Sequence, residues 1–178
     1  MDLTERFQSR EDVFHGRILT VHVDTVELPN GRSALREVAD HPGGVAVLAL
    51  DGENNVLAVT QYRYVFQRPV LEIPAGKLEP GEDPGQAGLR ELREETGAVP
   101  GRYEPLGKLL PSPGCYGEVL YLYLARDLRM DAQHLDEDEF LNVERIPFDE
   151  MVRRCLSGEI EDAKTLAAVL KAKVLLAL

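Results

Sequence analysis

Glu82, Glu91, Glu94 and Glu95 are four of the five glutamates in one short string, GKLEPGEDPGQAGLRELREETGA, at positions 76–98. The second half of that string predicts a helix. Asp83 is a good N-cap, Pro84 suits the first helical position, and Gly97 can close the last turn in a left-handed conformation. At about 100° per residue, Glu91 and Glu95 stand one above the other with Glu94 beside them. Leu89, Leu92 and Thr96 fall on a different face that can pack on a sheet. Ala87 and Gly88 flank the acidic stripe, where small side chains leave room for a bulky ligand. Three like charges on one face weaken an isolated helix by roughly a few tenths of a kcal/mol per pair. A divalent cation among them reverses that sign, and carboxylates are the ligands that hard cations take. Arg90 and Arg93 offer a competing account, ordinary surface ion pairs, and the helix charges alone do not decide the matter.

The preceding loop does. Gly76 and Gly81 punctuate it, and Glu82 adds a carboxylate just ahead of the helix. The whole string resembles the Nudix box: Gly, five residues, Glu, seven residues, Arg-Glu, an apolar residue, any residue, Glu-Glu, any residue, Gly, an apolar residue. Gly76, Glu82, Arg90, Glu91, Leu92, Glu94, Glu95, Gly97 and Ala98 fill the defined positions, with Ala98 a small occupant of the last. Seven of these are fixed identities, so a chance match in a chain of this length is on the order of one in a million.

The resemblance implies an α+β Nudix fold, a mixed sheet between helices, and hydrolysis of a nucleoside diphosphate linked to another moiety. It implies Mg²⁺, two or three ions with Mn²⁺ able to substitute, held by Glu91 and Glu95 and joined by the backbone carbonyl of Ala75. Glu94 would be a further ligand or a holder of water on the metal, while Glu82 and Arg90 would brace the helix. Such metals neutralise the diphosphate, activate a water and stabilise the leaving oxygen.

Features outside the box are similar to the ADP-ribose pyrophosphatase subfamily. Leu110-Pro111-Ser112-Pro113-Gly114 follows the box, with Pro113 placed like that subfamily's proline signature, although Ser-Pro-Gly would also make a rigid turn. Cys115 stands where an aromatic is common, which puts base stacking there in doubt. Arg63, at the end of Gln61-Tyr62-Arg63, can fork onto a diphosphate. Arg36 matches a second arginine of this kind, and Glu72 and Glu118 match acidic positions near the ribose and metals. Leu135-Asp136-Glu137-Asp138-Glu139-Phe140 resembles the acidic loop that supplies a catalytic base, with Glu137 the first choice, Glu139 the second, and Glu94 or Glu118 the fallback. The implied reaction converts ADP-ribose and water to AMP and ribose 5-phosphate. Another sugar nucleotide, such as GDP-mannose, is the near alternative, and a sensor that binds without cutting is the distant one, since sensors commonly lose box carboxylates that this chain keeps.

Several elements must carry these residues. Within 12–40, Ile18–Leu28 and Ser33–Ala39 read as strands joined by a turn at Pro29-Asn30-Gly31, with a slip of apolar phase near Thr25-Val26 that suggests a bulge or a change of packing partner. Val45–Leu50 is a continuous apolar run, as in a strand buried on both faces. Val56–Tyr62, Val70–Ile73, Leu106–Leu110, Val119–Ala125 and Asn142–Ile146 read as further strands, and 148–157 and 163–177 as closing helices. The break at His41-Pro42-Gly43-Gly44 divides an N-terminal β-domain, 1–41, from a Nudix domain, 42–178. The former resembles the domain through which related enzymes form homodimers, each subunit lending residues to its partner's site.

Composition sets limits on partners. A net charge of −11 argues against a nucleic-acid polymer, which needs a basic surface, but not against a phosphorylated ligand bound through cations. No apolar run is long enough for a membrane span, and the charged start MDLTERFQSRED does not resemble a signal peptide. Cys115 and Cys155 form no CxxC pair and suggest reduced thiols in a cytoplasm.

Overall fold

The N-terminal segment forms an antiparallel sheet of β1 (Arg6–His15), β2 (Thr20–Glu27) and β3 (Ser33–Asp40), in that order. The computed structural model describes residues 1–135 and 139–177. Gly31, at φ 79°, donates its N–H to the Leu28 carbonyl at 2.8 Å and makes the expected turn between β2 and β3. β1 begins well before residue 12. Its first residues are exposed and, Phe7 apart, polar, so no apolar alternation marks them; pairing with β2 and a fork from Arg10 onto Asp24, at 2.7 and 2.9 Å, hold them instead.

The phase of β2 does not slip. His22, Asp24 and Val26 are buried in strict alternation, so the inward face changes its chemistry and keeps its period. His22 reaches Asp24 with Nδ1 at 3.0 Å and Asp40 with Nε2 at 3.1 Å. The pairing irregularity lies in the neighbouring strand, between Phe7 and Ser9, opposite Val26 and Thr25. Residues 110–119 belong to the same compact unit as Met1–Gly43. Ala39 ties them in: its N–H donates to the Cys115 carbonyl at 2.8 Å, and its own carbonyl accepts from Gly117 at 2.9 Å.

The second unit comprises Gly44–Leu109 and the chain from Leu120 onward. Its centre is β4 (Gly44–Ala49), buried at every residue as its apolar run predicts. β4 pairs antiparallel with β7 (Ala75–Lys77) and parallel with β9 (Leu120–Met130), and β8 (Ala98–Leu109) completes the order β7-β4-β9-β8. A second, antiparallel sheet has the order β10-β5-β6, from β5 (Asn55–Arg63), β6 (Arg68–Glu72) and β10 (Leu141–Pro147).

Alternation along β4 decides where the helices go. Val45, Val47 and Ala49 pack with Ala87 and Leu92 of α1 (Pro84–Thr96). Ala46, Leu48 and Leu50 join Met151 and Cys155 of α2 (Phe148–Ser157) and Ala168, Val169 and Ala172 of α3 (Ala163–Leu176). Burying each Val or Leu contributes roughly 1.5–3 kcal/mol relative to exposure, so one strand anchors both layers. The result is a mixed sheet between helices, the α+β architecture expected. β8 runs longer than Leu106–Leu110 because Pro100, Gly101, Pro105 and Gly107 obscure its pattern; its register shifts between Pro105 and Gly107. Among the described residues no helix is long and apolar enough to cross a membrane.

Candidate active site

Local signals set α1 in place as the sequence predicts. The Asp83 side chain accepts the Gln86 N–H at 3.1 Å, Pro84 opens the helix, and Gly97, at φ 73°, donates to the Arg93 carbonyl at 2.8 Å. This orientation buries two of the three stacked glutamates. Glu91 is 7 % exposed and Glu95 only 2 %, whereas Glu94 is half-buried.

The short strand β7 covers the buried pair. Ala75 donates its N–H to Glu95 Oε2 at 3.0 Å. Gly76 faces Glu91 so closely that a Cβ there would lie 2.0 Å from the carboxylate carbon. Glycine at this position is a requirement of space. Gly88 is another such case and corrects an expectation. A Cβ on it would meet the Tyr103 hydroxyl at 2.0 Å and Val45 Cγ2 at 2.9 Å. Ala87 and Gly88 therefore bring the helix onto the sheet and leave no room for a ligand.

Arg90 is the hub of the remaining charges. Nε and Nη2 fork onto Glu82 at 3.0 and 3.1 Å, and Nη1 reaches Glu91 at 2.8 Å and Glu94 at 2.9 Å. Arg93 turns away to Asp131 at 2.9 Å. The Arg90 hydrogen bonds hold the Glu82 carboxyl below its ordinary range. Glu91 goes the other way, because burial outweighs its contact with Arg90. Burial, followed by the nearby carboxylates of Glu91 and Glu139, pushes Glu95 up to about 8 despite the Ala75 N–H. Glu95 is thus a buried carboxyl with no cationic side chain hydrogen-bonded to it among the described residues.

That donor set fits a hard divalent cation. Among the described residues, no three His, Cys, Asp or Glu side chains form a ready-made cage. Mg²⁺ does not need one, since it keeps several waters and takes one or two carboxylates alongside substrate phosphates.

A second group of charges lies on β5 and β6. Arg63 forks onto Glu72 with Nε and Nη2 both at 2.6 Å. Glu72 is 2 % exposed and also accepts from Lys164. Burial by itself would raise Glu72, but Arg63 and Lys164 together hold it below the carboxylate norm. The charge of Arg63 is felt at Glu95, so these two groups share one field. Glu139 also acts on both Glu91 and Glu95. It lines an open cleft of about 390 Å³ with Thr60, Tyr62, Pro69, Leu135 and Phe140. Glu137, the first choice for a base, lies outside the described residues.

Arg36 and Glu118 belong to the N-terminal unit. Arg36 forks onto Glu5, with Nε at 2.8 Å, and Glu118 stands 3.6 Å from His41 Nδ1. Sequence reasoning passed over Lys164. The available signal was its position, a cation in the first turn of a helix where the dipole favours anions.

The NUDIX domain family matches residues 40–169, which takes in the loop, the acidic helix and both sheets of the second unit. The chain belongs to the Nudix family. As a Nudix hydrolase it is of a kind that generally needs a divalent metal, and its box is the Gly76–Ala98 segment just described. A second family, the nucleoside diphosphate sugar hydrolase N-terminal domain, matches residues 7–39. A methanol dehydrogenase activator of Bacillus methanolicus is 44% identical over 167 residues, 93% of this chain and 90% of that protein. An ADP-ribose pyrophosphatase of Bacillus subtilis (strain 168) is 40% identical over 169 residues, 94% of this chain and 91% of that protein. The crystal structure of an ADP compounds hydrolase shares the fold, with a TM-score of 0.87 at 22% identity over 99% of this chain and 97% of its own.

Proposed function

We propose that this Nudix hydrolase splits the diphosphate of ADP-ribose, giving AMP and ribose 5-phosphate, with Mg²⁺ as its working metal. The observation that carries this reading is the pair Glu91 and Glu95, buried beneath Ala75 and Gly76. Burying carboxylates without full compensation is costly unless a cation joins them. Glu91 and Glu95 would hold Mg²⁺ with the Ala75 carbonyl, and Glu94 would add a further ligand. When bound, the metal supplies charge neutralisation of the diphosphate and of the leaving oxygen.

The chain's own groups do the rest. Arg90 fixes the rotamers of Glu91 and Glu94 through its two contacts and anchors them to Glu82. Arg63 exchanges Glu72 for a phosphate oxygen, and Arg36 is a second cation for the diphosphate. Glu72 and Glu118 bind near the ribose. Glu137 or Glu139 accepts the proton of the attacking water. The active species is a cytoplasmic homodimer joined through the N-terminal domain, residues 1–41, with the Nudix domain, 42–178, carrying the acidic helix.

The test is a substrate panel of ADP-ribose, GDP-mannose, other sugar nucleotides, NADH and dinucleoside polyphosphates, incubated with Mg²⁺ and resolved by product. ADP-ribose should give AMP and ribose 5-phosphate at the highest kcat/KM. Glu91→Gln and Glu95→Gln should each lower kcat by at least about 10²-fold with the fold intact, and Glu82→Gln by less. Near-normal turnover of both ligand variants at saturating Mg²⁺ would overturn the assignment, and preferred cleavage of GDP-mannose would replace the substrate.

A further inference from the structure

The start of α3 holds a buried cation in a place where helix physics disfavours one. Lys164 is 9 % exposed and lies in the first turn, at the positive end of the helix dipole. Its Nζ donates to Glu72 Oε2 and, at 2.9 Å, to Asp162 Oδ1. Asp162 is the N-cap and also accepts the Thr165 N–H at 3.0 Å. The Thr165 hydroxyl in turn accepts the Ile73 N–H at 2.9 Å. The first turn of α3 thus grips the chain at Glu72 and Ile73, just ahead of β7.

Glu72 consequently has two cationic partners, and they differ in accessibility. The Arg63 side chain is 37% exposed, that of Lys164 only 10%. Arg63 also lies within the field of Asp162 and of Glu95, a residue of the acidic helix. If Arg63 alone compensated Glu72, moving it to a phosphate would strand a buried carboxylate, which is strongly unfavourable.

We propose that Lys164 is a positioning residue that keeps Glu72 compensated, so that Arg63 can leave it for the diphosphate of a nucleotide sugar; this rests on the reading of Arg63 given above. Lys164 touches no substrate. It sets the fraction of molecules in which Arg63 is available, and apparent affinity scales with that fraction.

The experiment measures KM and kcat for ADP-ribose, and the Kd of its α,β-methylene analogue by calorimetry, at saturating Mg²⁺. Lys164→Met should raise KM and Kd at least about tenfold while kcat changes by less than about threefold. In a Glu72→Gln background the same substitution should change Kd by less than about threefold, because Arg63 is no longer held by a full charge. If Lys164→Met does not fold by itself, the double variant, which removes one charge of each sign, is compared with Glu72→Gln alone, and a Kd weaker by more than about threefold overturns the proposal. An equal effect of Lys164→Met in both backgrounds overturns the proposal and makes the residue merely structural. Arg63→Gln separates the two readings. If it weakens Kd while Lys164→Met does not, only the role of Lys164 falls; if it leaves Kd unchanged, the reading of Arg63 falls and takes this one with it.

Discussion

Replacing Gly76 with alanine perturbs the acidic site through a single carbon atom. The new Cβ would lie 2.0 Å from Glu91 Cδ and Oε1 and 2.4 Å from Oε2, whereas ordinary contact starts at 3.4 Å. The carboxylate must therefore retreat by about 1.4 Å. Gly76 is not among the residues at positive φ, so alanine meets no backbone strain. The atoms that yield are the end of a flexible side chain. Forcing its torsions off their minima costs on the order of 0.5–1.5 kcal/mol. Against this, alanine gains about 0.4–1 kcal/mol by restricting the unfolded chain. Net stability should change by no more than about 1 kcal/mol, or about 2–4 °C in Tm. Chemistry is far less tolerant, since a displacement of about 1 Å can cost about 10²-fold in rate. Gly76→Ala should thus melt near the wild type while kcat falls about 10²-fold and half-maximal activity needs more Mg²⁺. Thermal melts and a Mg²⁺ titration of ADP-ribose turnover in one buffer check both halves. A folded variant with unchanged kcat and metal dependence would refute the contact's role, and a variant that fails to fold would refute its local character.

Other outcomes are equally open to measurement. Glu137→Gln should lower kcat by about 10²–10⁴ with little change in KM or Mg²⁺ dependence; small, equal effects of Glu137→Gln and Glu139→Gln would send the search for a base to Glu94 or Glu118. Glu72, held below 4.5 in the fold, contributes stability that is complete above that value and is lost as pH falls through its folded pKa. In denaturant titrations from pH 7 downward the acid limb of the wild type should be steeper than that of Glu72→Gln, by up to about one proton, and equal slopes would contradict the pairing. All ten residues of β1 are exposed, with Phe7, Val13 and Phe14 among them, and a covering surface is expected for such a strand. Sedimentation at micromolar concentration should show a homodimer that is lost with residues 1–40; a fully active monomer would rule it out.

Asp83, Pro84 and Gly97 mark the ends of α1 in the sequence because capping is local chemistry, and the structure keeps all three in those roles. Val45–Leu50 was legible for a similar reason: a strand buried on both faces has no polar residue to interrupt it. What could not be read depended on partners distant in sequence. β7 is three residues long and exists through pairing with β4. The inward face of β2 reads as out of phase because His22 and Asp24 are buried in mutual contact, and Arg10 and Asp40 make that burial tolerable. Gly88 has one signature in sequence, a small residue, and two possible meanings; the Tyr103 hydroxyl across the helix–sheet interface settles which applies. Likewise Arg63 reads as a free cation until Glu72, its partner across the β5–β6 pair, is in place.

The acidic site is built from backbone of two very different protections. β4 is buried at all six residues and hydrogen-bonded to a neighbour on each side. Its amides should exchange with deuterium only when the whole domain opens. β7 meets β4 in just three register pairs, from Gly44 opposite Lys77 to Ala46 opposite Ala75, and among the described residues has no strand on its other side. Its amides belong to the class that exchanges by local fluctuation. The N–H of Ala75 nonetheless ends on Glu95, a residue of the protected helix face. Exchange at Ala75 therefore reports how often the loop lifts from the carboxylates, and its slowing on addition of Mg²⁺ would give the free energy with which the metal closes the loop at that residue.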